Sequence, residues 1–273
     1  MIRNELEAIK AIREGVSLKD IDSEFRTRKI VEEAVRIDGL ELMNADRTFR
    51  NDLEIVKLAV AQNGLALEYA SLSLRDNEEV ALIATRQNGL ALQHCGHKTR
   101  NNVNIVLEAV KGCGLALAYV GEELIVDKDL IKGDKEKINR YITIVKEAVK
   151  ENGMALKLAT EKIQDNDDVI DLAIEENGGA IKYASRRHRG NEELMWRAMH
   201  NLKGNCTQES IIEYATANIK NNLKERLKNE LLEKQKKEFE ERIKINTKIE
   251  TIKSKQSDIK EEIVENQKIC YDE

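Results

Sequence analysis

The stretch "NDLEIVKLAVAQNGLALEYASLSLR" spans residues 51–75, and much of it recurs along the chain. Aligned on its glycine, the chain repeats at intervals of 24 to 26 residues, with one interval of 39, which is a 25-residue period plus 14 residues. The aligned glycines are Gly15, Gly39, Gly64, Gly89, Gly114, Gly153, Gly178 and Gly204. A period of this length predicts an array of stacked units.

Each unit is predicted to consist of two short helices, because its apolar residues recur at helical spacing and do not alternate as in a strand. These positions are 55, 56, 59 and 60 in the first half of the quoted unit and 67, 70, 71 and 74 in the second. Asn51 with Glu54, and Asp76 with Glu79, have the spacing of a capping box at a helix start, and an acid stands at both positions in Asp165 and Asp168. A pair of such short helices buries its apolar face only by stacking on neighbours.

The repeated glycine lies between the two helical halves of each unit. We therefore expect it to close the first helix in the left-handed conformation. A phosphate-binding loop needs several glycines in one turn, and here each unit has one. The structural joints predicted in this way are Gly39, Gly64, Gly89, Gly114, Gly153 and Gly178.

The composition agrees with an all-helical chain. Of 273 residues none is proline and 4% are aromatic, which leaves few helix breakers and few strand formers. The predicted fold class is all-α, an α-solenoid of stacked short helix pairs over residues 1–206, followed by a long charged helix or helical hairpin over residues 207–273.

Charge and cysteine usage restrict the compartment and the partners. The net charge of −5 gives no indication of nucleic acid or an anionic membrane as the partner. Cys95, Cys113, Cys206 and Cys270 form no paired motif, which favours a reducing compartment. Neither a signal peptide nor a membrane span is predicted, so we expect a cytoplasmic protein, and a specialised secretion system that reads another signal stays open.

The repeat pattern resembles a known family. The residues that carry the resemblance are "NDLEIVKLAVAQNGLALEYASLSLRDNEEVALIATRQNGLAL" (residues 51–92), followed by "IVLEAVKGCGLALAYV", "IVKEAVKENGMALKLAT" and "VIDLAIEENGGAIKYAS". They are similar to a bacterial and protist repeat family, the domain of unknown function 4116. The chain departs from the pattern at Cys113, at the 14-residue insertion and after Gly190. The resemblance implies a helical-repeat fold, a binding role, no catalytic residues, and delivery into a host cell as one possibility.

The insertion, near residues 125–138, is a candidate partner-binding segment, since insertions in solenoids project from one face. Its candidate contact residues are Asp127, Asp129 and Lys132. Three aspartates suggest calcium, but Ile138 stands where an EF-hand loop requires glutamate. A solvated loop or a short helix is the alternative that we prefer.

The C-terminal region contains a thin apolar seam. Ile245, Ile249, Ile252, Ile259 and Ile263 follow alternating steps of 4 and 3 residues, interrupted by Gln256. This spacing is typical of a coiled coil and favours a homodimer or a partner helix. A helix that folds back along the solenoid is the alternative.

Two clusters suggest chemistry. His94, Cys95 and His97 invite a zinc site or a thiol enzyme, but a complete set of ligands, or a base and an oxyanion site, is missing from the sequence around them. Arg186, Arg187 and Arg189 lie in the densest basic run, "SRRHRG", which complements a helix end or contacts a phosphate, a nucleic acid or an acidic protein.

We conclude from the sequence that the chain is a non-enzymatic module, without cofactor or metal, that binds another protein. One concrete version is an effector or effector regulator that occludes its partner. The alternatives are an enzyme that uses the His94, Cys95 and His97 cluster, or a phosphate or nucleic-acid binder that uses the cluster from Arg186 to Arg189.

Overall fold

The computed structural model describes residues 4–126, 134–204 and 206–269, and beyond Lys253 it describes a side chain only for Gln256. Within these residues the chain contains helices and no strand, so the predicted all-α repeat fold is confirmed. The α-helices are α1 (Glu5–Arg13), α2 (Arg28–Ile37), α3 (Arg47–Arg50), α4 (Leu53–Gln62), α5 (Leu72–Arg75), α6 (Glu78–Gln87), α7 (His97–Arg100), α8 (Val103–Gly112), α9 (Lys135–Glu151), α10 (Asp167–Glu176), α11 (Arg186–Arg189), α12 (Glu192–His200), α13 (Gln208–Tyr214) and α14 (Ala217–Ile269).

Short 3₁₀-helices connect the α-helices. Those that begin at the repeated glycines have six residues each: Gly39–Asn44, Gly64–Tyr69, Gly89–His94, Gly114–Tyr119, Gly153–Leu158 and Gly178–Tyr183. Shorter ones lie at Leu18–Asp20, Ser23–Phe25 and Ile163–Asp165.

The second half of a unit is not the single helix that its apolar spacing predicts. In the unit of residues 53–75, the 3₁₀-helix Gly64–Tyr69 ends at extended residues, Ala70 and Ser71, before α5 begins. The Ser71 N–H donates to the Arg50 carbonyl of the preceding unit at 2.8 Å. The helix is interrupted at Ala70 and Ser71 because their extended backbone allows this hydrogen bond between units. The Gly96 N–H makes the same bond to Arg75 at 2.9 Å.

The six joint glycines, from Gly39 to Gly178, do not adopt the predicted left-handed conformation. In the described part of the chain positive φ is confined to Gly15 and Gly204. Gly64 instead begins a 3₁₀-helix, and a Cβ at this position would lie less than 3.0 Å from the carbonyl oxygen of Ala84 in the next unit. The same approach recurs at the other five joint glycines, toward residues 59, 109, 148, 173 and 198. Glycine is needed here so that the next helix packs closely.

The predicted helix caps are displaced by one residue. Asp52 and Asn77, rather than Asn51 and Asp76, cap α4 and α6, and Asn166 caps α10. The predicted cap residues, Asn51 and Asp76, form hydrogen bonds with the next unit instead. The carboxylate of Asp76 accepts from the backbone N–H of Lys98 at 2.9 Å, at the start of α7.

A further bond joins neighbouring units at the ends of the long helices. The Gln87 Oε1 accepts from the Gly64 N–H at 2.6 Å, and its Nε2 donates to the Gln62 carbonyl at 3.2 Å. Glu176 accepts from the Gly153 N–H at 2.6 Å in the same way. At the joint of Gly89 the equivalent position is Gly112, which has no side chain to supply this acceptor.

The core consists of the facing sides of the long helices. From α2 onward, one buried position of each long helix up to α12 is alanine, which allows the helices to approach closely: Ala34, Ala59, Ala84, Ala109, Ala148, Ala173 and Ala198. Isoleucine and valine fill the neighbouring positions, such as Ile55, Val56 and Val60 in α4.

The chain divides into two compact units, Met1–Thr216 and Ala217–Glu273. The described part of the second is α14, a single helix of 53 residues and not a hairpin. Among the helices of residues 4–126, 134–204 and 206–269, none combines the length and the apolar character of a bilayer span. The coiled-coil seam is described only in part: Ile245, Ile249 and Ile252 are exposed, whereas the side chains of Ile259 and Ile263 lie outside the described residues.

Candidate functional site

The short helices α3, α5, α7 and α11 lie at equivalent places in successive units. We call the first two residues of each of these helices the short-helix edge. The edge also includes the equivalent residues of the two units that have no such helix, at 122–123 and 161–162. Its members are residues 47–48, 72–73, 97–98, 122–123, 161–162 and 186–187, and all twelve are exposed.

The short-helix edge changes its chemistry from unit to unit. Its first position is in turn arginine, leucine, histidine, glutamate, glutamate and arginine, whereas the buried alanine position and the joint glycine are the same in each of these units. Leu72 is 78% exposed, a high value for an apolar side chain. Residues that stack the units are thus uniform within the chain, and those on this edge are not.

A cleft at the short-helix edge lies between α3 and α5 and has a volume of about 700 Å³. We call it the Arg47 cleft. It is lined by Arg47, Thr48, Arg50, Asn51, Tyr69, Ala70, Ser71, Leu72 and Ser73. The Ser71 and Ser73 hydroxyls lie 2.6 and 3.1 Å from the Asn51 Oδ1, to which both donate.

The arginine cluster predicted from the sequence lies partly on this edge, in α11. Its central residue, Arg187, is engaged within the chain, since its Nη2 lies 2.6 Å from Asp167 and its Nε lies 3.2 Å from Asp165. These bonds raise the pKa of Arg187, the larger effect coming from Asp167, and Arg187 lowers the pKa of Asp167. Arg186 is exposed and Arg189 is half-buried.

A buried histidine supports the arginine cluster. The His188 Nδ1 lies 2.9 Å from the Ser185 Oγ, and its Nε2 lies 2.9 Å from the Asp167 Oδ1. Ser185 also donates to Asp165, and this bond is the main cause of the lowered pKa of that carboxylate. The bonds to Asp167 tie α11 to the start of α10 within one unit, and the bond to Asp165 ties it to the end of the preceding unit.

The His94, Cys95 and His97 cluster does not converge on one point. The His94 Nε2 lies 4.0 Å from Glu68 of the preceding unit, and the His97 Nε2 lies 3.7 Å from Glu123 of the following one. Cys95 is buried, and burial raises the pKa of its thiol to about 11. Burial also lowers the pKa of His94. Within the described residues no group of three or more histidine, cysteine or acidic side chains is placed to hold a metal ion.

The insertion is described in part. Asp127, Asp129 and Lys132 lie outside the described residues. From Asp134 the chain is helical, because the Asp134 side chain caps α9, which has 17 residues where α4 has 10. Part of the insertion is therefore a helical extension of α9.

The Arg47 cleft was missed by the sequence reasoning. The signal that could have found it is the 25-residue alignment itself, which shows arginine recurring at positions 50, 75, 100 and 189, all of them half-buried in the structure. The cleft itself forms only when two units stack, since its residues come from α3 of one unit and from the segment at residues 69–73 of the next.

A family model agrees with the repeat. The model described as "Domain of unknown function (DUF4116)" matches three times, at residues 27–75, 77–125 and 142–189, which together make up more than half of the chain. The second and third matches are separated by the insertion. No curated protein and no solved structure matches the chain.

Proposed function

The chain belongs to the DUF4116 family of domains of unknown function, and on that premise we propose that it is a helical-repeat scaffold that binds another protein through the short-helix edge. One observation supports this most. The same structural position, exposed in all units, carries arginine, leucine, histidine or glutamate depending on the unit. A row of differing side chains on a regular stack is the arrangement by which repeat proteins recognise extended partners.

The chemistry of the short-helix edge favours a protein partner over nucleic acid. The basic residues Arg47 and Lys98 lie on one side of the acidic pair Glu122 and Glu123, and Arg186 lies on the other. Nucleic acid requires a continuous basic stripe, because each phosphate contact is electrostatic. A protein partner tolerates alternating charge, and an exposed leucine such as Leu72 suits a contact of this kind.

The enzyme hypothesis has weaker support. A thiol nucleophile needs a lowered pKa and access to substrate, and Cys95 is buried with a raised pKa. The non-enzymatic assignment stays a prediction. The effector role and delivery into a host cell follow from the family resemblance alone and stay predictions as well.

Affinity purification from cells that express the protein, followed by mass spectrometry, tests the proposed function. The edge variant combines Arg47→Ala, Leu72→Ala and Lys98→Ala. The control variant makes the same replacements on the long helices, at the exposed residues Arg36, Leu53 and Lys111.

We expect a partner that the wild type and the control variant retain and that the edge variant loses. Retention by all three would contradict this choice of surface. If no protein is enriched above the background of an unrelated bait, the scaffold function itself is contradicted.

A further inference from the structure

We propose that the Arg47 cleft is a binding site for a phosphate monoester whose organic group is apolar or aromatic. The cleft volume of about 700 Å³ lies in the range of roughly 300 to 1,000 Å³ that small-molecule sites occupy. Its lining contains two arginines and neither an aspartate nor a glutamate. The cleft is therefore positive in a chain whose net charge is −5.

The two arginines are uncommitted, in contrast to others of this chain. Arg187 and Arg197 are paired with aspartates at 2.6 and 2.8 Å. Within the part of the chain that the structure describes, the guanidinium groups of Arg47 and Arg50 have no such partner, and the Arg50 Nε is buried without an acceptor. At the equivalent positions the Arg75 Nε donates to the His94 carbonyl at 2.6 Å, whereas the Nε atoms of Arg100 and Arg189 are buried without an acceptor, like that of Arg50. Arg50 therefore keeps donors that an anion can satisfy.

The side-chain amide of Asn51 adds further hydrogen-bond donors to the two arginines. The Ser71 and Ser73 hydroxyls lie 2.9 Å apart, and both use the Asn51 Oδ1 as their acceptor. The Asn51 carbonyl oxygen is thus occupied by donors from within the chain, whereas its amide N–H groups remain for a ligand. Two guanidinium groups and an amide offer more donors than the two oxygens of a carboxylate use, and a phosphate monoester presents three terminal oxygens.

The remaining lining accommodates the organic part of the ligand. Leu72 is 78% exposed at the rim of the cleft, and the half-buried Tyr69 lines it as well. An apolar or aromatic substituent on the phosphate would cover these side chains and would lie between them. Inorganic phosphate would leave them uncovered, so we expect it to bind more weakly.

Two sources share this chemistry, a free phosphorylated metabolite and a phosphorylated side chain of a protein. Isothermal titration of the purified full chain with phenyl phosphate tests the site itself. Phenol, benzoate and inorganic phosphate are the comparison ligands. A five-residue peptide that contains phosphotyrosine distinguishes the sources: binding at least tenfold tighter than that of phenyl phosphate assigns the site to a protein side chain, and equal or weaker binding assigns it to a small molecule.

The matched variants are Arg47→Gln and Arg50→Lys in the cleft and Arg36→Gln outside it, on α2. Because each charge-assisted hydrogen bond to phosphate is strong, we expect Arg47→Gln to weaken phenyl phosphate binding about tenfold or more. Arg50→Lys keeps the positive charge but loses the planar guanidinium group, which can make two parallel hydrogen bonds to phosphate. It should therefore weaken binding less than Arg47→Gln. Arg36→Gln should change it less than twofold. Circular dichroism shows whether each variant is folded.

Failure to saturate with phenyl phosphate at millimolar concentration would overturn the proposal, as would wild-type affinity in Arg47→Gln or benzoate binding as tight as that of phenyl phosphate. The outcome is independent of the proposed function, since it needs no partner protein. Phenyl phosphate binding without a captured partner would leave the site standing and remove the scaffold function. A captured partner without phenyl phosphate binding would support the scaffold function and overturn the proposed phosphate site.

Discussion

At the residue scale, the joint glycine shows how far the sequence can be taken. Its position in every unit follows from the 25-residue alignment, but the reason for it does not. The contact that requires glycine at Gly64 comes from the Ala84 carbonyl, which lies in another unit. A pattern read along one unit favours a left-handed cap, and only the stacked units reveal the close approach.

Replacing this glycine should destabilise the whole stack. Gly64→Ala would place a methyl group less than 3.0 Å from a backbone carbonyl that is part of the neighbouring helix. We expect a loss of about 2 to 3 kcal/mol in the free energy of unfolding, as for an overpacked core. Urea denaturation followed by circular dichroism measures it. An unchanged urea midpoint would contradict this prediction, because it would show that the neighbouring helix moves to accommodate the methyl group without a loss of stability.

Gly112 offers the opposite case. A Cβ there would approach the Gly89 nitrogen only to 3.9 Å, so the position has room. Gly112→Gln should restore the missing bond between units and gain about 1 to 2 kcal/mol, from the added hydrogen bond and from helix propensity. Gly112→Ala is the control, and it should gain only the propensity part. Equal gains in the two variants would contradict the bonding role of this position.

The Cys95 thiol should be inert in the folded chain. Burial raises its pKa from 9.0 to about 11, so the folding stability that depends on the neutral thiol is complete below about pH 9 and is lost as the pH rises toward 11. In a variant that keeps Cys95 and replaces Cys113, Cys206 and Cys270 by alanine, Ellman's reagent at pH 8 should react about a hundredfold more slowly than in urea. A rate equal to that in urea would support the thiol hypothesis instead.

At the element scale, helix type and period could be predicted, and the internal division of the unit could not. Asn51 and Asp52 are both good cap formers, and no local feature states which one caps α4. In the structure Asp52 caps α4, and Asn51, at the end of α3, bonds to Ser71 in the second half of the next unit. The split between the 3₁₀-helix and α5 likewise depends on a bond to the preceding unit.

The long helix α14 carries the prediction of self-association. Ile245, Ile249 and Ile252 are exposed at spacings of 4 and 3 residues, as in a coiled-coil seam. We expect the full chain to dimerise in sedimentation equilibrium, Ile249→Asp to shift it to the monomer, and Lys244→Asp, which lies off the seam, to leave the dimer intact. A monomeric wild type at about 100 μM, a concentration at which coiled coils of this length associate, would contradict the prediction.

At the scale of the whole molecule, the repeat fold could be predicted almost completely, because every unit repeats the same stacking residues. The candidate binding surface, the short-helix edge, could not be predicted from the sequence. The sequence reasoning placed function where the period fails, at the insertion, the arginine cluster and the C-terminal tail. In the structure Arg187 of that cluster is paired with Asp165 and Asp167. The short-helix edge recurs in each of these units, also across the insertion, and its distinguishing property is that its exposed residues differ from unit to unit while the buried alanine and the joint glycine do not.

The most direct test of the scaffold function is the affinity of the purified chain for its captured partner. Biolayer interferometry would compare the wild type with the edge variant at Arg47, Leu72 and Lys98 and with the control variant at Arg36, Leu53 and Lys111. We predict a dissociation constant about tenfold or more higher for the edge variant, as for the loss of central contact residues, and within about twofold of the wild type for the control. Equal affinity of the edge variant and the wild type would contradict the account.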